Sequence, residues 1–345
     1  MKHLSLTSQN LRLAVLSASL VLLAFFNTGC NKIRDYLEPE LKIKVVATGF
    51  AVPIGVETDD YGRIWVAESG TGNNDGKVSV VTPDGKKYPV FINFESHKID
   101  NGDIDGLNHI LISEGILYIL GGHGIMYKAG VSSYHTGDAP KNASTLATEN
   151  IGAFVLDYDF KNKIYESHPY NLAPGPNGDI FITDAASNAV LRRTKNGVLS
   201  VLAEIPGVAN PTPVGPPFVE SVPTSVFYDG RQFLVTTLLG FPFPEGQAVI
   251  YKVAMNGSVS IYQKGFTSLV DLAEGGRKGR LLLEHGKFGP MGFIANSGRL
   301  VWANGTSITE LADGLNKPAG LKQVNDHTWY VTSTGDGTLL KVTYQ

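Results

Sequence analysis

The stretch Pro318-Ala-Gly320-Leu321, followed by the turn Asn325-Asp326 and then by Thr328-Trp-Tyr-Val-Thr332 and Thr338-Leu-Leu-Lys-Val342, decides the fold. It reads as three β-strands. The last two are rich in β-branched or aromatic residues, and Asn325-Asp326 bounds them as a turn. The chain then ends at Gln345 with no fourth strand. At the other end, Leu41-Lys-Ile-Lys-Val-Val-Ala47 is a strand with no unit of its own. Added to the last unit, it completes a four-stranded sheet and covers an open edge. An array whose first strand finishes its last unit is a ring.

Five earlier phrases repeat this unit. Pro53-Ile-Gly55-Val, Pro169-Tyr-Asn171-Leu and Pro223-Thr-Ser225-Val match Pro318-Ala-Gly320-Leu, and Leu107-Asn-His109-Ile and Leu269-Val-Asp271-Leu are degenerate versions. Each precedes a polar turn and an apolar strand, such as Arg63-Ile-Trp-Val-Ala67 or Asp179-Ile-Phe-Ile-Thr183. In most units a third strand follows, for example Lys77-Val-Ser-Val-Val81 or Ala248-Val-Ile-Tyr-Lys-Val253. The spacing runs from 46 residues (223 to 269) to 62 (107 to 169). That suits four-stranded blades and is too long for leucine-rich or hexapeptide solenoids. The expectation is an all-β fold: a single six-bladed β-propeller over residues 41–345, its last blade completed by the N-terminal strand.

Residues 1–29 read as a secretory signal. Lys2, His3 and Arg12 precede an apolar run, Leu13 to Phe26, broken by Ser17 and Ser19. In helical form that run spans about 21 Å, short of the roughly 30 Å hydrocarbon core. The one cysteine, Cys30, follows Thr28-Gly29. It excludes an internal disulfide and resembles a bacterial lipobox, although Asn27 stands where that motif prefers an aliphatic residue. The expectation is lipidation at Cys30, a tether over 30–40, and a membrane-anchored protein facing the periplasm or cell surface. A net charge of −3 without a basic run disfavours nucleic acid. Gly 39 and Pro 18, with 18% charged residues, suit turn-rich β structure.

The units are similar to NHL-type propeller repeats, and one series is more specific. Glu220-Ser-Val-Pro-Thr-Ser-Val226, Leu239-Gly-Phe-Pro-Phe-Pro-Glu-Gly246 and Val249-Ile-Tyr-Lys-Val253 resemble the signature of the ScyD/ScyE family. Gly265-Phe-Thr-Ser-Leu-Val-Asp-Leu272 and Gly314-Leu-Asn-Lys-Pro-Ala-Gly-Leu321 follow in that family's order. Gly121-Gly-His-Gly124 and Ser132-Ser-Tyr-His135 depart from it. The resemblance implies a propeller fold and export, and brings no activity with it.

The chemistry is then sought around the ring. In a propeller the first strand of each blade lines the channel. The aligned positions Gly55, His109, Asn171, Ser225, Asp271 and Gly320 therefore face one another. The second strands end in Glu68, His123, Asp184, Thr237, Glu284-His285 and Ser333. These groups either hold a divalent cation such as Ca²⁺, or a small ligand, at one mouth, or simply satisfy turns and strand ends. The gluconolactonase-like propellers hold a metal on a Glu, an Asn and an Asp from separate blades. Asn171 fits that Asn, but Ser225 stands where the Asp belongs and Asp271 comes one blade late.

Glu68-Ser-Gly-Thr-Gly-Asn-Asn-Asp-Gly76 lacks the spacing of a Ca²⁺ loop and reads as a surface turn. No Gly-x-Ser-x-Gly elbow or P-loop occurs. Phe241-Pro-Phe-Pro244 and Pro211-Thr-Pro-Val-Gly-Pro-Pro-Phe218 are stiff apolar loops. If they share one mouth, Phe241 and Phe243 either form an aromatic ligand patch or seal the channel end. Two function classes remain: a non-catalytic module binding a protein or small ligand, and a metal-dependent, lactonase-like hydrolase.

Overall fold

A computed structural model describes residues 41–100, 102–275 and 279–344; the leader, Cys30 and the tether lie outside the described residues. Six radial sheets follow in chain order. Their innermost strands are Pro53–Thr58, Leu107–Ser113, Pro169–Pro174, Pro223–Tyr228, Leu269–Glu274 and Pro318–Asn325. Each innermost strand touches that of the next blade, and the sixth touches the first. The sixth sheet has the order Pro318–Asn325, Thr328–Ser333, Thr338–Tyr344, then Leu41–Thr48. The spare strand does complete the last blade.

The core lies between sheets. One cluster joins Trp65, Val80 and Phe91 of blade one to Leu107, Leu117 and Ile119 of blade two. Equivalent clusters join blades two and three, three and four, and four and five, and Leu339 of blade six packs with Val56 and Val66 of blade one. A middle strand is thus covered on both faces. Ile64–Glu68 and Phe233–Thr237 are buried at every residue, which is why they read as unbroken runs rather than alternating ones. Phe181 and Phe233, both fully buried, meet at 4.1 Å between centroids, and burying each ring stabilises by about 2–3 kcal/mol.

Two backbone devices recur in all six blades. The residue before each innermost strand offers its carbonyl to the amide just after the second strand: Ser69 to Val52, Gly122 to Gly106, Ala185 to His168, Leu238 to Val222, His285 to Ser268 and Thr334 to Lys317. Four of the acceptors, Val52, Val222, Ser268 and Lys317, sit at φ of 46–52°. That region is costly for a side-chain-bearing residue, above all valine, and persists only where surroundings enforce it. The second device is a register shift between the first and second strands, at 53/56, 107/110, 169/171, 223/226, 269/271 and 318/321.

Blade two explains the departures from the repeat. Its second strand turns tightly through Gly122-His-Gly124 into a third strand, Ile125–Gly130, which the sequence reading did not assign. The chain then leaves the blade, packs Tyr134 edge-on against Trp65 of blade one at 5.4 Å, and adds Lys141–Asn142 beside Lys87–Phe94. It returns with Ala147–Asn150 and the one α-helix among the described residues, Ile151–Asp157, capped by Asn150.

Candidate functional site

The six aligned channel positions all fall at the register shift. A bulge re-aims a side chain, and here it turns His109, Asn171, Ser225 and Asp271 toward one another. Gly55 and Gly320 have no room to contribute. A Cβ on Gly55 would lie 2.8 Å from the Asn108 carbonyl, and one on Gly320 would lie 2.2 Å from that of Ile54.

Asp271 is the hub. Its Oδ1 accepts from Ser225 Oγ at 2.7 Å, Leu272 N at 2.8 Å and Asn171 Nδ2 at 3.2 Å, and Oδ2 accepts from Leu321 N at 2.7 Å. Burial outweighs these donors and raises its pKa to about 6. The Asn171 oxygen is taken by Leu172 N. His109 Nδ1 stands 3.9 Å from Asp271 Oδ2, too far for a hydrogen bond. Burial lowers the His109 pKa to about 3, so the ring is neutral, and its Nε2 has no partner. Asn171 and Asp271 do meet across two blades, but as donor and acceptor to each other. Beyond them the channel opens into a cavity of about 270 Å³, whose wall includes Glu57 and Lys322. These two form an ion pair; burial still raises the Glu57 pKa.

The second-strand ends hold turns in place. Glu68 accepts from Ala51 N, Glu284 from Thr267 N, and Asp184 from His168 N, Ser187 N and Ser167 Oγ. In each case the carboxylate fixes the backbone that enters its own innermost strand. Arg299 also pairs with Glu284 at 2.5 Å. Desolvation raises the pKa of Glu68 and of Glu284.

At the same mouth, chemistry gathers that has no counterpart in the repeat. The hairpin of His97–Lys98 and Ile104–Asp105 lies between blades one and two. His97 stacks on His123 at 4.4 Å. Asp105 Oδ2 lies 3.5 Å from His123 Nδ1 and 4.0 Å from His97 Nε2, and Glu95 Oε1 lies 4.0 Å from His123 Nε2. Nearby, the Asn108 amide donates to His168 Nε2 at 3.2 Å and to the Pro169 carbonyl. The sequence reading placed His123 at this mouth and missed Glu95, His97 and Asp105. His97, between the first and second repeat units and outside any strand the fold requires, was the available signal. The Glu68–Gly76 segment is a turn, as expected: Asp75 accepts from Thr71 N and Oγ1 and from Asn73 N.

On blades four and five the mouth is aromatic. Phe243 packs on Phe288 at 4.4 Å and Phe293 at 5.2 Å, and Phe241, 54% exposed, approaches Phe288 at 6.3 Å. Phe288 and Phe293 come from a short hairpin inserted in blade five. His285 abuts Phe293 at 4.8 Å and donates from Nδ1 to the Pro318 carbonyl. Burial lowers its pKa to about 4, and Asp103 acts on it in the opposite sense. The two proline-rich loops do share this mouth, since a Cβ on Gly215 would lie 3.1 Å from Pro242 Cδ.

No family model matches the sequence, and no curated protein matches it. Solved structures match over most of the chain. A catalytically inactive virginiamycin B lyase of Staphylococcus aureus, solved with quinupristin, shares 15% identity at a TM-score of 0.51, covering 89% of this chain and 99% of that one. The PQQ-bound aldose sugar dehydrogenase of Streptomyces coelicolor shares 13% at 0.59, covering 89% and 99%. A Bacteroides thetaiotaomicron protein of unknown function shares 10% at 0.58, covering 89% and 77%. The likeness is one of fold: these are six-bladed propellers.

Proposed function

We propose that this propeller is a non-catalytic envelope module that binds an apolar or aromatic ligand, free or carried on a protein, at the mouth formed by Phe241, Phe243, Phe288 and Phe293. One observation carries the reading: a half-open aromatic cluster, held by prolines and a hairpin, presents Phe241 to solvent. Rigid aromatic surface loses little entropy when covered, so it suits recognition. The ScyD/ScyE-like repeats and the Thr28-Gly29-Cys30 sequence support an exported protein held to a membrane by lipid at Cys30. Binding is tested with an anilinonaphthalene sulfonate probe. The reading expects Phe241→Ala to abolish bound-probe fluorescence while the thermal transition stays in place; unchanged fluorescence overturns it. Anchoring is tested by membrane fractionation, where Cys30→Ala moves the protein to the soluble fraction.

A metal-dependent hydrolase is the second reading, favoured by imidazoles and carboxylates gathered at the same mouth. Lactone hydrolysis abolished by chelator and restored by a divalent ion would put it first. The channel hub does not support it, because both Asp271 oxygens are already committed to protein donors.

A further inference from the structure

We infer that Glu95, His97 and His123 form a binding site for a borderline divalent metal ion of the Zn²⁺ or Co²⁺ type, with Asp105 as the carboxylate that orients His123. This inference rests on the same residues that favour the second reading, but metal binding is measured with no ligand or substrate present, so its failure and the failure of that reading are told apart.

The donor atoms of Glu95, His97 and His123 all lie within 4.8 Å of one another. A tetrahedral ion with bonds of about 2.0–2.1 Å needs donors about 3.3 Å apart. Closing that gap takes a shift of about 1 Å, and Glu95 and His97 are exposed side chains free to make it by rotation. His123 is the fixed member. Its Nδ1 stands 3.5 Å from Asp105 Oδ2, and its Nε2 lies on the Glu95 side, so the inference places the ring proton on Nδ1 and the ion on Nε2. That Nε2 is shut off from solvent and has no hydrogen-bond partner, and neither has Asp105 Oδ1. Buried acceptors without donors are uncommon and call for an explanation; a cation beside them supplies one. A carboxylate on the far nitrogen of a ligating histidine is the usual outer-shell arrangement.

The surroundings are built to hold this geometry. A Cβ on Gly122 would lie 1.8 Å from Asp105 Oδ1 and 3.0 Å from His168 Cε1, so the glycine makes the space that the carboxylate occupies. A Cβ on Gly106 would lie 2.3 Å from the Ser69 carbonyl, which keeps the end of the hairpin against blade one. The Thr71–Asp75 turn braces the other strand: His97 pairs with Asn73, and Ser96 exchanges hydrogen bonds with Asn74. Two imidazoles and one carboxylate favour Zn²⁺, Co²⁺, Ni²⁺ or Cu²⁺ over Ca²⁺, which takes oxygen donors. Three protein donors leave a coordination position for a water or for an oxygen of a ligand at the mouth.

The test uses the tag-free full chain, stripped with chelator and titrated with Zn²⁺ by calorimetry and with Co²⁺ by visible absorption. One ion per chain is expected, with the absorption of a low-symmetry Co²⁺ centre. His97→Ala and His123→Ala should each weaken binding by more than about 100-fold, and Asp105→Asn by the 10- to 100-fold typical of an outer-shell partner. Glu95→Gln, at an exposed position, should weaken binding with no change in the thermal transition and decides the matter if His123→Ala fails to fold. His135→Ala, an exposed histidine elsewhere, should bind as the parent does. Absence of binding, or binding unaltered in His97→Ala and Glu95→Gln, overturns the inference.

Discussion

The channel hub and the mouth contain the same chemistry and treat it in opposite ways. At the hub, Asp271 gathers Ser225, Asn171 and two backbone amides from blades three to six, so neither of its oxygens is left over, and only the Nε2 of the neighbouring His109 goes without a partner. At the mouth, Glu95, His97, His123 and Asp105 converge more loosely, with mutual contacts of 3.5–4.0 Å, and two buried atoms, one of them a carboxylate oxygen, go unanswered. Convergence of polar groups is therefore a poor marker of a site in a propeller, where six-fold repetition produces it. The informative quantity is which atoms the protein leaves unsatisfied.

The largest expected effect sits at the hub. Asp271→Ala strips the acceptor from four donors and should destabilise by about 3–5 kcal/mol, measured by denaturant unfolding. A loss below about 1 kcal/mol would show that water replaces the carboxylate and that the hub is less closed than its hydrogen bonds indicate.

Next comes a pH effect. Asp271, raised to about 6 when folded against 3.8 unfolded, contributes stability at low pH that is lost as pH rises through 6. His109, lowered to about 3, contributes stability present above its unfolded value of 6.5 and lost as pH falls below it. Between pH 4 and 6 the two slopes oppose. Asp271→Asn removes one of them, so acidification from pH 6 to 4 should cost the variant on the order of 1–3 kcal/mol more than the parent. Equal slopes would mean that Asp271 does not titrate as its burial requires.

The mouth should respond less. Phe243→Ala takes a ring from between Phe288 and Phe293 and should cost about 1–2 kcal/mol, whereas Phe241→Ala should cost under about 1 kcal/mol. If Phe241→Ala is as destabilising as Phe243→Ala, the cluster seals the channel end rather than receiving a ligand. The smallest effect is that of Glu95→Gln in metal-free protein, within about 0.5 kcal/mol of the parent by thermal unfolding.

The fold was legible because it depends on repetition. Pro53, Pro169, Pro223 and Pro318 mark blade starts, and the three-stranded end with the spare Leu41–Thr48 strand marks closure. Blade two was harder to read because Lys141–Asn142 is lent to blade one, so its third and fourth strands are separated by a detour. The six channel positions were also legible, but their roles were not. Whether Asp271 is a ligand or a hub depends on the Leu321 amide, fifty residues away, and on bulges that leave no mark in composition. Asp184 and Glu284 had the right residue types for a site, and most of what holds them is backbone amides that every sequence contains. Glu95, His97 and Asp105 escaped notice because alignment of repeats looks only where the units agree.

The strand Leu41–Thr48 has one more consequence, and it concerns time. It leaves the ribosome ahead of all six blades, while its sheet neighbour Thr338–Tyr344 is made after every other described strand. No partial chain can therefore close the ring, and the pairing that seals it spans nearly the whole sequence. Contacts of such long range carry a high loop-closure cost and form late. The ring thus stays open until Thr338–Tyr344 has been made.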